Sequence, residues 1–257
     1  MPERQDETWL AGVDGCPGGW VAVFITTGGA IEPPRVFARF ADIVLGPKQP
    51  AIVAVDVPIG LPRQSPAKGR LAESAVRPLL GDRKSSVFRI PSRSAVYASV
   101  AAEPADARER FFHACRIARE TSDDGKAFAK QGFYILDKVV EVDTLLRGDA
   151  ALARRVFETH PELAFRMMNG DRPLDLAKKV KGDNHRPGLA LRRDLLAGAG
   201  IPRALIDAPP PKGAADDDVI DAFACLVTAR RIHANSARSY PDEPPRDEHG
   251  LPMAIWA

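Results

Sequence analysis

Apolar positions along this chain follow two rhythms. In the first sixty residues they come in short runs broken by Gly and Pro. Trp9-Leu10-Ala11-Gly12-Val13 leads into Asp14 and predicts a strand over residues 8–14. Gly15-Cys16-Pro17-Gly18-Gly19 predicts a turn, because Gly permits positive φ and Pro fixes φ. Trp20 to Thr26 predicts a second strand, folding back on the first as a hairpin, and residues 35–40 alternate as a third. Residues 51–57 form a nearly continuous run with Val and Ile, the pattern of a buried parallel strand, which Pro58 and Pro62 end.

From about residue 63 to 150 the period becomes helical. Leu71, Ala75 and Leu79 recur at i, i+4, i+8. Phe111, Phe112, Cys115 and Ala118 suit a second helix, and Ile135, Val139, Val142 and Leu146 a third that Gly148 stops. The loop over residues 83–93 separates the first two. Residues 155–159 resume strand character. Pro187 and Gly198 bracket a helix through Leu189, Leu191, Leu195 and Leu196. Residues 216–233 form the last helix, with Val219, Ile220, Phe223, Leu226 and Val227 on its apolar face. Leu251, Met253 and Ile255 predict a short edge strand, which tolerates Pro252. The expected fold class is α/β: three antiparallel strands plus parallel strands in one mixed sheet, flanked by helices. It forms a single domain over 1–257, with an inserted helical lobe over 63–150.

Hydrophobic residues at 45% and charged residues at 27% allow a sizeable core and argue against global disorder. A net charge of +2 gives no whole-molecule attraction to nucleic acid and leaves a local basic surface open. Cys16, Cys115 and Cys225 are far apart and odd in number, against a disulfide framework or a structural zinc site. The polar N-terminus reads as no signal peptide, and no apolar run is long enough for a membrane span, so the expected setting is cytoplasmic.

The candidate chemistry is acidic. Asp14, Asp56 and Glu158 each stand where a predicted strand ends, and Asp218 and Asp221 open the last helix on one shared face. In an open α/β sheet ligands collect at the carboxyl ends of strands. Carboxylates held together raise one another's pKa, and a bound cation resolves that conflict. Oxygen-only ligands favour Mg²⁺ or Mn²⁺ over zinc, and two such ions support phosphodiester cleavage. A lone strand-end Asp is most often a turn former or cap. Asp217 reads as a helix cap, while Asp218 is evenly balanced between cap and ligand. Asp221 lies one turn inside the helix, where an acid is either exposed or used.

At these residues the chain resembles an uncharacterised family, a domain-of-unknown-function family of predicted nucleases with an RNase H-like fold. The matching pieces are residues 12–20 (GVDGCPGGW), 55–61 (VDVPIGL), 85–88 (SSVF), 158–162 (ETHPE) and 217–222 (DDVIDA). More distantly, Asp218-x-x-Asp221-Ala222 is similar to the ending of RuvC-type Holliday junction resolvases. The resemblance implies an RNase H-like sheet, Asp14, Asp218 and Asp221 as metal ligands, and either Asp56 or Glu158 as the middle acid.

Arg83, Lys84, Ser85, Ser86, Arg89 and Arg93 combine cations and hydroxyls around Phe88, a loop suited to hold phosphates while the ring packs on a base. Lys178, Lys179 and Lys181, and Arg192 and Arg193, read as solvated surface. His160 reads as local structure before a Pro, Glu162 as a remote substitute acid, and Cys16 as a small turn residue. The leading expectation is a Mg²⁺- or Mn²⁺-dependent nuclease acting on DNA, RNA or a smaller phosphodiester, with no membrane partner. Two alternatives stay open: an ATP-dependent phosphoryl transferase of the sugar-kinase-like superfamily with Asp56 as base, and a catalytically silent nucleic-acid-binding module.

Overall fold

A computed structural model describes residues 7–103, 106–180 and 183–257. Lys181 and the polar residues 1–6 lie outside the described residues. In chain order the elements are β1 (Trp9–Cys16), β2 (Gly19–Thr26), β3 (Arg35–Phe37), α1 (Phe40–Val44) and β4 (Ile52–Val55). Helices α2 (Leu71–Val76), α3 (Arg93–Ala98), α4 (Ala107–Glu120), α5 (Lys130–Phe133), α6 (Leu136–Gly148) and α7 (Ala150–Ala153) follow. Then come β5 (Val156–Glu158), α8 (Pro161–Met168), the hairpin β6 (Lys179–Val180) and β7 (Asp183–Asn184), α9 (Arg186–Gly198), α10 (Arg203–Ile206) and α11 (Asp216–His233). The chain divides into two compact units. One comprises Met1–Asp56, Arg154–Arg238 and Trp256–Ala257; the other comprises Val57–Ala153 and Ser239–Ile255.

The first unit is built on a five-stranded mixed sheet in the order β3-β2-β1-β4-β5. β1 pairs antiparallel with β2 and parallel with β4, and β4 pairs parallel with β5. β1 is the central strand, and Leu10 to Val13 are buried on both faces, which is why it reads as an unbroken apolar run rather than an alternation. α11 packs along β1, β4 and β2. Gly12 makes that approach feasible: a Cβ there would overlap the Leu226 amide nitrogen and the Ala222 carbonyl oxygen. The helix backbone therefore rests directly on the strand. α11 is buried nearly all round from Val219 to Ala229, so its core contact is wider than one apolar stripe.

Three expectations shift. The third strand stops at Phe37, because Phe40, Ile43 and Val44 turn inward at helical spacing and form α1, with Phe40 against Trp20 at 5.1 Å between ring centroids. Of the C-terminal edge strand only Ile255–Trp256 is extended. In the first unit Trp256 bridges Thr159 and packs edge-on against Phe157. In the second unit, Leu71 is 60% exposed and Ala72, Val76 and Leu80 are buried instead. Two apolar stripes lie side by side on that segment, and periodicity alone does not choose between them. Beyond α2 the chain tightens into a 3₁₀ stretch, Arg77–Ser86, broken at Gly81 with φ +52°.

The second unit carries its own buried ionic framework. Arg93 donates to Asp143 and Asp247 at 2.5 Å each. Arg70 is buried against Glu73 at 2.6 Å and donates to the carbonyls of Ile59 and Gly60. All three cysteines are buried and none is in a disulfide. No described helix is long and apolar enough to cross a membrane.

Candidate metal centre

Register brings the acids together. Val13 pairs with Val55 across β1 and β4, and the Asp56 N–H donates to the Val13 carbonyl at 3.0 Å, so Asp14 and Asp56 stand one step further along neighbouring strands. Side chains alternate faces along a strand, so Asp14 shares the face of Gly12, the one α11 covers. α11 supplies Asp221, 2% exposed, one turn from its start. One carboxylate oxygen from each of Asp14, Asp56 and Asp221 lies within 4.8 Å of the other two. All three belong to the first unit.

Glu158 is not brought to this cluster, and its expected place as the middle ligand is corrected. It pairs with Val55, not with Asp56, and so points to the face opposite Asp14. The next residue, Thr159, takes the α11 face and reaches Thr228. A strand-end acid is legible in sequence, but a one-residue step decides which side of the sheet it serves.

At the start of α11 the cap is Asp218, read as cap or ligand, and not Asp217, read as the cap. Asp218 accepts the Ala215 N–H at 2.8 Å and closes the helix N-terminus, while remaining near enough for its charge to act on Asp14. Asp217 is buried and pairs with Lys179 at 2.6 Å. The residue that sequence reasoning missed is Lys178, whose ammonium sits on Asp221 Oδ2. Its side chain is 28% exposed. A two-lysine run carries no mark of its target, and only the tertiary path from β6 to α11 reveals it.

The electrostatics follow from burial. Asp14 is pushed well above the usual carboxylate range, first by burial and then by the charges of Asp56 and Asp221, with Lys178 pulling the other way. Asp56 is raised to about 7 by burial, against the pull of Lys178 and with a further push from Glu162. Asp221 is raised to about 6 by burial, against Lys178, with Asp56 and Glu162 adding to the rise. Burial disfavours the charge on Lys178, yet Asp221 and Asp14 outweigh it and hold the ammonium protonated. Asp14 Oδ1 accepts the Gly15 N–H at 2.7 Å, whereas Asp221 Oδ1 is buried with no hydrogen-bond partner among the described residues. An unpartnered buried carboxylate oxygen beside two more carboxylates is a costly arrangement that a bound cation relieves. The oxygen-only donor set fits Mg²⁺ or Mn²⁺.

The other candidates separate. Arg93 is consumed by Asp143 and Asp247, and Arg89 by Asp124 and the Ala67 and Lys126 carbonyls, so neither is open to phosphate. This corrects their place in the predicted substrate loop: both cations neutralise acids of their own unit. Lys84, Ser85 and Ser86 are exposed, Arg83 is partly so, and Phe88 is 40% exposed. Glu162 is held by both oxygens to Arg192 at 2.6 and 2.7 Å, which places Arg192 in the core rather than on the predicted solvated surface. The His160 carbonyl accepts the Leu163 and Ala164 N–H groups at the start of α8, the local role read for that residue. Cys16 is buried at the end of β1.

No curated protein and no solved structure matches the chain. One family profile does, over residues 12–246, a span that holds all three clustered acids as well as Lys178. With nearly its whole length matched, the chain belongs to the family described as "Protein of unknown function (DUF429)".

Proposed function

We propose that this protein is a Mg²⁺- or Mn²⁺-dependent phosphodiester hydrolase, a nuclease acting on DNA or RNA, with Asp14, Asp56 and Asp221 as the acids that hold the ion. The observation that carries the reading is the convergence of three carboxylates from β1, β4 and α11 on one another, with Asp221 Oδ1 buried and unpartnered among the described residues. The sheet order, with β2 and β3 antiparallel at one side of a parallel β1-β4-β5 core, supports an RNase H-like architecture for it. A bound ion would supply activation of water and stabilisation of the leaving oxygen. The chain's own residues prepare the place. The Gly15 N–H fixes Asp14 Oδ1, and Gly12 lets α11 bring Asp221 against β1. Asp56, raised to about 7 by burial, keeps part of its proton near neutral pH, and a bound cation would displace it.

The test is cleavage of labelled single-stranded, double-stranded and branched DNA and of RNA, with Mn²⁺, by wild type and Asp14→Asn. Cleavage by wild type and its loss in a variant with an unchanged circular dichroism spectrum is the expected result. Full activity in Asp14→Asn would overturn the reading. Tight ATP binding without cleavage would favour phosphoryl transfer instead.

A further inference from the structure

Asp221 is divided between two kinds of partner. Its Oδ2 carries the Lys178 ammonium, while its Oδ1 is buried without a hydrogen bond among the described residues, and one oxygen of the carboxylate lies within 4.8 Å of an oxygen of Asp14 and of Asp56. Lys178 is delivered there by a pinned backbone. The carbonyls of three successive residues are held: Leu176 accepts from Arg192 Nη1 at 3.0 Å, Ala177 hydrogen-bonds His185 Nδ1 at 3.0 Å, and Lys178 accepts the His185 N–H at 2.8 Å. Arg192 is itself fully buried and locked to Glu162. The adjacent Lys179 takes Asp217, one turn before Asp221 on the same face of α11, which fixes the register of the lysine pair on the helix. An ammonium with an anchored stem, at one oxygen of a shared carboxylate, is a built position rather than a passing surface contact.

Resting on the proposed metal site, we infer that Lys178 is a tethered cation occupying one of two cation seats in the carboxylate cluster. The site then takes a single divalent ion, and Lys178 provides the second positive charge toward a substrate phosphate. The charges agree with this count. Asp14, Asp56 and Asp221, fully ionised, carry three negative charges and Lys178 removes one, leaving two for one divalent ion to neutralise. Two divalent ions beside the ammonium would overcharge the cluster and compete with it for Asp221 Oδ2.

The experiment is a Mn²⁺ titration by calorimetry, with bound and free Mn²⁺ counted by electron paramagnetic resonance, on wild type, Lys178→Met, Lys178→Arg and Asp14→Asn. Wild type and Lys178→Arg are expected to bind one ion, Lys178→Met two, and Asp14→Asn to bind far more weakly. Two ions in wild type would overturn the inference while leaving the metal site intact. A single ion in Lys178→Met would also overturn it, reducing the lysine to a plain counter-ion. Should Lys178→Met fail to fold, the wild-type count decides. No Mn²⁺ binding in any variant would remove both this inference and the metal-dependent reading beneath it.

Discussion

Asp14 and Asp56 stand side by side, one residue beyond the Val13–Val55 pair of two parallel strands, on the sheet face that α11 covers. Two adjacent acids on a buried sheet edge, with a third descending from a helix, are electrostatically opposed unless they share protons or a cation. Lys178 brings a cation to Asp221, and the carboxyl groups still rise above the usual carboxylate range. The structure thus holds these acids together at a cost, which the proposed metal site would relieve.

That cost has a pH signature. Asp56 titrates at about 7 in the fold, against an ordinary value near 3.8. Below about pH 4 the group is protonated in both folded and unfolded chains and imposes no penalty. Between about pH 4 and 7 the unfolded chain releases the proton that the folded chain keeps, so stability falls as pH rises, by an amount on the order of a few kcal/mol. Asp56→Asn, which cannot titrate, should melt above wild type at pH 8 in chelator, with the gap closing toward pH 4. Adding Mn²⁺ should favour wild type and reverse the order. A gap that is constant from pH 4 to 8 would show that Asp56 is not the source.

The register makes a sharper distinction between the two candidate middle acids. Asp56→Asn should weaken Mn²⁺ binding by more than about tenfold, whereas Glu158→Gln, on the opposite face, should leave it within about twofold. Calorimetric titration of the two variants in parallel reads this directly. Equal losses in both would place Glu158 back at the ion.

Gly12 sets the spacing on which the cluster depends. A methyl group at that position meets the α11 backbone at Ala222 and Leu226 rather than a flexible side chain, so the helix has to move. Gly12→Ala should cost about 1–3 kcal/mol in urea unfolding. It should also reduce Mn²⁺ affinity, because the helix that shifts carries Asp221. An unchanged unfolding midpoint would mean the helix has room that the close contact denies.

Much of this was legible in the sequence, and the divide between what was and was not has a physical origin. The β1–β2 hairpin, the buried β4 run, the α11 span and the acids Asp14, Asp56 and Asp221 all follow from local patterns: apolar runs, Gly-Pro turns, an acid one turn inside a helix. Glu158 looked equivalent to Asp56 because a strand end is local, but its face depends on the β4–β5 register. Arg89, Arg93 and Arg192 looked like free cations because their partners lie 35, 154 and 30 residues away. Lys178 was passed over for the same reason, its acid being 43 residues further on. Charge in a sequence announces itself; the partner that neutralises it does not.

The Glu162–Arg192 pair ties this lesson to the site. Arg192 is fully buried, donates to both Glu162 oxygens, and also serves the Leu176 and Gly188 carbonyls. Removing one member of a buried pair strands the other, at about 3–5 kcal/mol. Arg192→Met should therefore destabilise more than Glu162→Gln, since it leaves a buried carboxylate and two carbonyls without their donor. It should also release the Leu176 carbonyl, and with it one of the anchors that hold Lys178 over Asp221. Thermal melts rank the two variants, and hydrogen exchange at Lys178 and Lys179 reports the anchor: faster exchange there is expected in Arg192→Met than in Glu162→Gln. If exchange rises equally in both, the carboxylate and not the carbonyl contact is what holds the lysine segment in place.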